Sequence, residues 1–222
     1  MYIKMDVNST WRSSFYEELA NTITHTIGII LAAGGLGVMI VLAAIHGNIW
    51  HIISTAVFGT TLILLYTIST LYHSVYQSKT KMILQQLDHS AIFLLIAGTY
   101  TPFTLVSLRG PWGWLLFGIV WGLAILGIVL QLLLDKKGRI ISILLYLLMG
   151  WLVIIAIKPL IAAVDTIGFL LLLFGGLFYT GGLLFYVWFS LPYHHAIWHV
   201  FVLVGSGLHY FSILFYVIPL NV

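Results

Sequence analysis

Apolar residues run along this chain in seven long blocks separated by short polar breaks. The blocks lack the polar stripe that a helix on the surface of a soluble protein carries. Each reaches the roughly 20 residues that an α-helix needs to cross the hydrocarbon core of a bilayer. The pattern predicts spans over residues 21–45, 50–72, 83–105, 112–134, 140–160, 166–189 and 195–217. The breaks carry turn and charge residues: His46-Gly47-Asn48, residues 77–81, Arg109-Gly110-Pro111, residues 135–139, residues 158–165 and Ser190-Leu191-Pro192. The expected architecture is all-α, a seven-transmembrane helix bundle forming a single domain over residues 21–222 behind an N-terminal segment over residues 1–20.

Composition narrows the class. Of 222 residues 61% are hydrophobic and 7% are charged, against about 25% charged in an average soluble domain, so a large water-soluble domain is excluded. The polar start, with Asp6, Arg12, Glu17 and Glu18, does not follow the charged-then-apolar layout of a cleaved signal peptide, so the first helix is expected to stay as an anchor. There is no cysteine, which removes disulfides, thiolate ligands and a cysteine nucleophile. Any metal must therefore be held by nitrogen or oxygen. A formal net charge of +3 scattered between helices gives no basis for nucleic-acid binding.

The charges instead report topology, because cytoplasmic loops hold the excess of lysine and arginine. Lys4, Arg12, Lys79, Lys81, Lys136, Lys137 and Arg139 fall on one side, and Arg109 and Lys158 on the other. The chain is expected to be a multi-pass protein of the cell membrane with a cytoplasmic N-terminus and an extracellular C-terminus, the reverse of a G-protein-coupled receptor. Trp50, Trp112, Trp114 and Trp188 near span ends fit an interfacial aromatic belt. Glycines at 34, 35, 37, 118, 122, 175, 176, 181 and 182 let helix backbones approach closely, read here as packing within one bundle.

Against this apolar background the ionisable residues stand out. An aspartate at the centre of a membrane helix costs about 2.5–3.5 kcal/mol on insertion scales, so such a residue is a functional hypothesis. The predicted topology brings Asn21, His25, His73, Asp88, His195 and His199 to one depth on the cytoplasmic side. His195 and His199 are four residues apart, which places both rings on one helix face. With His73 they make three nitrogen ligands and leave a fourth tetrahedral position for water, the arrangement of catalytic rather than structural zinc. Asp88 then sits where a carboxylate accepts that water's proton, and Ser69, four residues before His73, can contact the ring or the water. The bland alternative is that each histidine caps a helix or meets headgroups; the coincidence of all of them at one depth favours a metal site. His46 and His51 are expected to be wet and structural. His209 lies about 15 Å along the helix from His199, too far to share its metal, and could line a cavity. His194 should face away from His195, and His25 and His89 could orient a ligand or Asp88, or simply pack.

At these residues the chain resembles the hemolysin III proteins of bacteria, within the progestin and adiponectin receptor (PAQR) superfamily. Three blocks carry the likeness. Glu18-Leu19-Ala20-Asn21 with Thr24-His25 enters the first span. Ser69-Thr70-Leu71-Tyr72-His73 ends the second, followed by Leu87-Asp88-His89 and Gly98-Thr99-Tyr100-Thr101-Pro102. His195-Ala196-Ile197-Trp198-His199 with His209-Tyr210 lies in the seventh. The resemblance implies an inside N-terminus, an outside C-terminus and zinc on His73, His195 and His199, with Ser69 and Asp88 close to the water. Adiponectin receptors of this superfamily are linked to ceramide hydrolysis, but this chain lacks their long N-terminal extension, so a hormone-receptor role is not expected. The leading expectation is a zinc-dependent hydrolase acting on a lipid amide or ester. Its rivals are a pore-forming or cytolytic protein, or one serving membrane homeostasis, with a structural zinc, and a lipid-binding sensor of bilayer state.

Overall fold

The structure, a computed structural model, describes residues 15–219, whose regular elements are all helices with no strand among them. Seven crossings are long and apolar enough for a membrane. The multi-pass fold is therefore as expected. The helices are α1 (Phe15–His46), α2 (Ile49–Ser74), α3 (Ser78–Pro102), α4 (Pro111–Leu133), α5 (Asp135–Trp151), α6 (Ile157–Ala163), α7 (Thr166–Val187) and α8 (His194–Tyr216), with α5 and α6 forming one broken crossing. The N-terminal segment expected over residues 1–20 is helical from Phe15. Its earlier part, with Lys4, Asp6 and Arg12, lies outside the described residues.

The helices form a closed ring in chain order. α1 packs on α2, α2 on α3, α3 on α4, α4 on α5 and α7 on α8, while α1 meets α8 to close the circle. The contact of α5 and α6 with α7 is slight. Burial is inverted relative to a soluble protein: Ile30, Leu31, Ile45, Leu133 and Leu184 face outward, while His25, Ser69, His73, Asp88, His199 and His209 are inside. In lipid the apolar exterior is at home, and the ring interior is the place left for polar side chains.

The fifth crossing is not the straight helix its apolar run suggests. A 3₁₀ segment at Leu152–Ala156 separates α5 from α6. Pro159 has no N–H to offer the Ile155 carbonyl, which loosens the helix there. Tyr100 on α3 inserts its hydroxyl at the break, donating to the Gly150 carbonyl at 3.0 Å and accepting from the Val153 N–H at 2.9 Å. Backbone groups released by the break thus find a partner inside the bundle, as lipid requires. Likewise Pro102 ends α3, and the chain continues as a single π turn over Phe103–Ser107.

Glycines divide by environment. A Cβ on Gly182 would meet Trp198 and Phe201 on α8, and one on Gly175 would strike the His209 ring, so these positions admit close α7–α8 packing. Gly34, Gly37, Gly118, Gly122 and Gly176 have open space instead. His51 corrects an expectation: it is buried, and its Nδ1 accepts from the Asn48 N–H at 3.2 Å while Asn48 caps α2. It is structural, but not wet.

Candidate metal centre

Three imidazoles converge where α1, α2 and α8 meet. His73 comes from the last turn of α2, and His195 and His199 from the first two turns of α8. One nitrogen from each ring lies within 4.8 Å of the others, a spacing that could hold a metal ion. Ring centroids are 5.0 Å apart for His73–His195, 5.1 Å for His73–His199 and 4.6 Å for His195–His199. Among the described residues no carboxylate joins the group.

Local structure sets these rings. Tyr193 is the one described non-glycine residue with left-handed backbone, at φ 56°, and its N–H donates to Glu17 Oε1 at 3.1 Å. That contact ties the turn before α8 to the first turn of α1 and so fixes where α8 begins. The i, i+4 spacing then stacks His195 and His199 on the face turned toward α1 and α2. His194, one position away, instead reaches the Phe185 carbonyl at 2.9 Å.

Hydrogen bonds orient two of the three rings. His73 Nδ1 donates to Glu18 Oε2 at 2.6 Å, and Lys81 Nζ donates to Glu18 Oε1 at the same distance. His199 Nδ1 lies 3.2 Å from the Asn21 carbonyl and 3.0 Å from Thr24 Oγ1. Thr24 commits its own proton to the carbonyls of Asn21 and Ala20, so its hydroxyl oxygen is an acceptor for the ring. Both Nδ1 atoms thus carry protons, and both Nε2 atoms present lone pairs, as in carboxylate-histidine-metal arrangements. Nε2 of His73 and of His195 are buried with no hydrogen-bond partner among the described residues. Buried nitrogens without partners are costly, and a metal ion is a partner that suits lone pairs converging on one point.

Hydropathy gives Glu18 no role at the centre, although it stands in the first of the three blocks that carry the family likeness. The hydropathy pattern starts the span at Asn21 and leaves Glu18 among the polar residues ahead of it. The available signal is helical spacing: Glu18, Asn21 and His25 share one face at i, i+3 and i+7, and all three are buried.

His25 also belongs to this layer. Its ring stacks on His199 at 3.5 Å between centroids with planes 12° apart, and neither of its nitrogens makes a hydrogen bond among the described residues. Asp88 and Ser69, expected beside the metal, are buried and share a cavity wall with His25, His195 and His199. Asp88 lies within electrostatic reach of both His73 and Ser69. His89 turns its Nε2 to the Tyr186 hydroxyl at 3.2 Å, on the same wall.

That cavity extends from the histidines along α3, α7 and α8 to Leu108, Leu116 and Leu160 near the opposite end of the bundle. Its volume is about 140 Å³, behind walls that are mostly aliphatic and aromatic. A polar, carboxylate-bearing end and a long apolar barrel suit a ligand with one polar group and a hydrocarbon chain.

The sequence profile of the family described as Haemolysin-III related matches residues 13–210. The Hemolysin-3 homolog of Bacillus subtilis (strain 168) is 51% identical over 200 residues, covering 90% of this chain and 94% of that protein. Hemolysin-3 of Bacillus cereus is 49% identical over 203 residues, with 91% and 93% covered. The human Monocyte to macrophage differentiation factor, a PAQR member, is 27% identical over 212 residues, with 93% and 87% covered.

Proposed function

This chain belongs to the Haemolysin-III related family of membrane proteins, and from that premise we propose that it is a zinc-dependent hydrolase of a lipid amide or ester. The observation that carries the proposal is the convergence of the His73, His195 and His199 nitrogens at one end of a long apolar cavity, with Asp88 on its wall. In this reading the three histidines hold the ion, Glu18 and Thr24 fix the His73 and His199 rings, and Asp88 and Ser69 serve catalysis.

Zinc in such a site supplies Lewis acidity that polarises a carbonyl and makes a water easier to deprotonate. The chain's own groups do the rest. Asp88 accepts the proton from the attacking water on its carboxylate and returns it to the departing amine or alkoxide. In this reading Ser69 Oγ, buried beside Asp88, holds the water or the Asp88 carboxyl by a hydrogen bond. The aliphatic barrel aligns the acyl chain and keeps bulk water from the reacting carbonyl. The excess of lysine and arginine on the Lys79–Lys81 side orients the protein with its N-terminus and the histidine layer toward the cytoplasm.

The test uses the full chain in lipid nanodiscs. Elemental analysis should find about one zinc per chain, lost in His73→Ala, and a panel of lipid amides and esters should release fatty acid in an Asp88-dependent way. Zinc absent from the wild type, or turnover unchanged in Asp88→Asn, overturns the reading. Dye leakage from liposomes with zinc bound and no dependence on Asp88 would instead assign a membrane-perturbing role and a structural metal, in keeping with the name of the Bacillus cereus relative.

A further inference from the structure

Deep in the bundle, the cavity touches a second group of polar side chains that the metal reading does not use. His209 lies ten residues beyond His199 on α8, about 15 Å along the helix axis. It lines the same cavity and is 7% exposed. Its Nε2 lies 3.0 Å from the Leu172 carbonyl of α7. A carbonyl only accepts, so Nε2 carries the proton and Nδ1 holds a lone pair. That Nδ1 is buried and has no hydrogen-bond partner among the described residues. The position is built rather than incidental, because a side chain at Gly175 would occupy the space of the His209 ring. The Tyr179 ring, which also lines the cavity, packs 5.4 Å from it, and the Tyr179 hydroxyl pairs with Ser206 Oγ at 2.6 Å.

We propose that His209 Nδ1 is the acceptor of a polar station in the barrel, which binds a hydroxyl borne partway along the hydrocarbon chain of a lipid whose head lies at the histidine triad. An acceptor buried in an apolar environment is costly unless a donor meets it, and the walls around it are mostly hydrocarbon. A fixed lone pair selects a donor such as an alcohol O–H and gives nothing to a methylene. The inference rests on the metal reading only for which end of the ligand faces His199.

The experiment measures displacement of a fluorescent fatty acid from the purified full chain in nanodiscs by stearate, 2-hydroxystearate and 12-hydroxystearate. A single neutral hydrogen bond predicts that 12-hydroxystearate binds roughly three- to tenfold more tightly than stearate, while 2-hydroxystearate gains nothing at His209. His209→Phe, which keeps a ring in the Gly175 space, should remove the difference. Equal affinities of stearate and 12-hydroxystearate for the wild type overturn the proposal even if the variant does not fold, and so does a preference that survives in a folded His209→Phe protein. A mid-chain preference in protein found to contain no zinc would sustain the station while removing the hydrolase reading, so the two fail separately.

Discussion

Glu18 Oε2 accepts the Nδ1 proton of His73 across 2.6 Å, joining the first turn of α1 to the last turn of α2 at the candidate metal centre. Lys81 from α3 holds the other carboxylate oxygen, so one acidic residue links three helices. The carboxylate fixes which nitrogen of His73 is protonated and makes the ring a better donor of its other lone pair. Partners of this kind are worth about 10–100-fold in metal affinity. Glu18→Ala should therefore weaken zinc binding by about that factor, measured by competition with a chelating dye. Glu18→Gln, which keeps an acceptor but loses the charge, should fall between it and wild type. Unchanged affinity in both variants would remove Glu18 from the centre.

His25 tests the membership of the triad. It is within stacking distance of His199, yet the convergent set contains only His73, His195 and His199. In His25→Phe an aromatic ring still covers His199, so zinc content should stay near one per chain. His195→Ala should lose the metal under the same conditions. Loss of zinc from His25→Phe equal to that from His195→Ala would make His25 a ligand.

Much of this was legible in the chain, for reasons that differ by residue. The seven crossings follow from bilayer thickness, which acts on every apolar block alike. His195 and His199 announce themselves because helical spacing is local, and His73 and Asp88 because charge is rare in lipid. Glu18 escapes this reasoning: α1 begins at Phe15, ahead of the apolar run, so a residue that composition assigns to a polar leader lies on the first helical turn. The break in the fifth crossing is hidden for another reason. Pro159 hints at it, but the groups it frees are met by Tyr100 from a distant helix, a contact that no local pattern reports.

That contact carries its own expectation. Tyr100→Phe keeps the ring but removes the hydroxyl that meets both Gly150 and Val153. Two backbone groups left without a partner in an apolar environment should cost about 1–3 kcal/mol each at most, so the melting temperature in detergent should fall measurably. An unaltered melting curve would mean that the 3₁₀ segment satisfies itself.

Glycine substitutions should separate by face. At Gly182 a Cβ would lie 2.7 Å from Phe201 Cβ and 2.8 Å from Trp198 Cε3, so Gly182→Leu must push α7 from α8. Overpacking of this kind costs about 1–3 kcal/mol or more. Gly118 has nothing within 4 Å, and Gly118→Leu should leave the melting temperature near that of wild type. Equal sensitivity at both positions would place a further surface against α4.

Orientation across the membrane decides which leaflet the histidine layer serves, and it can be measured independently of zinc. The chain contains no cysteine, so one introduced thiol gives an unambiguous signal. Tyr76, 66% exposed, lies between α2 and α3 at the end of the bundle that carries His73. Trp112, 46% exposed, lies at the start of α4, at the other end of α3. The lysine bias at Lys79 and Lys81 predicts that a membrane-impermeant maleimide labels Trp112→Cys on intact cells and reaches Tyr76→Cys only after lysis. The reverse result would invert the protein and put the histidine layer at the outer leaflet. It would not disturb the convergence of the rings, because that geometry is set by packing among α1, α2 and α8. It would, however, change the pool of lipid from which the cavity can be filled, and so the substrates worth testing first.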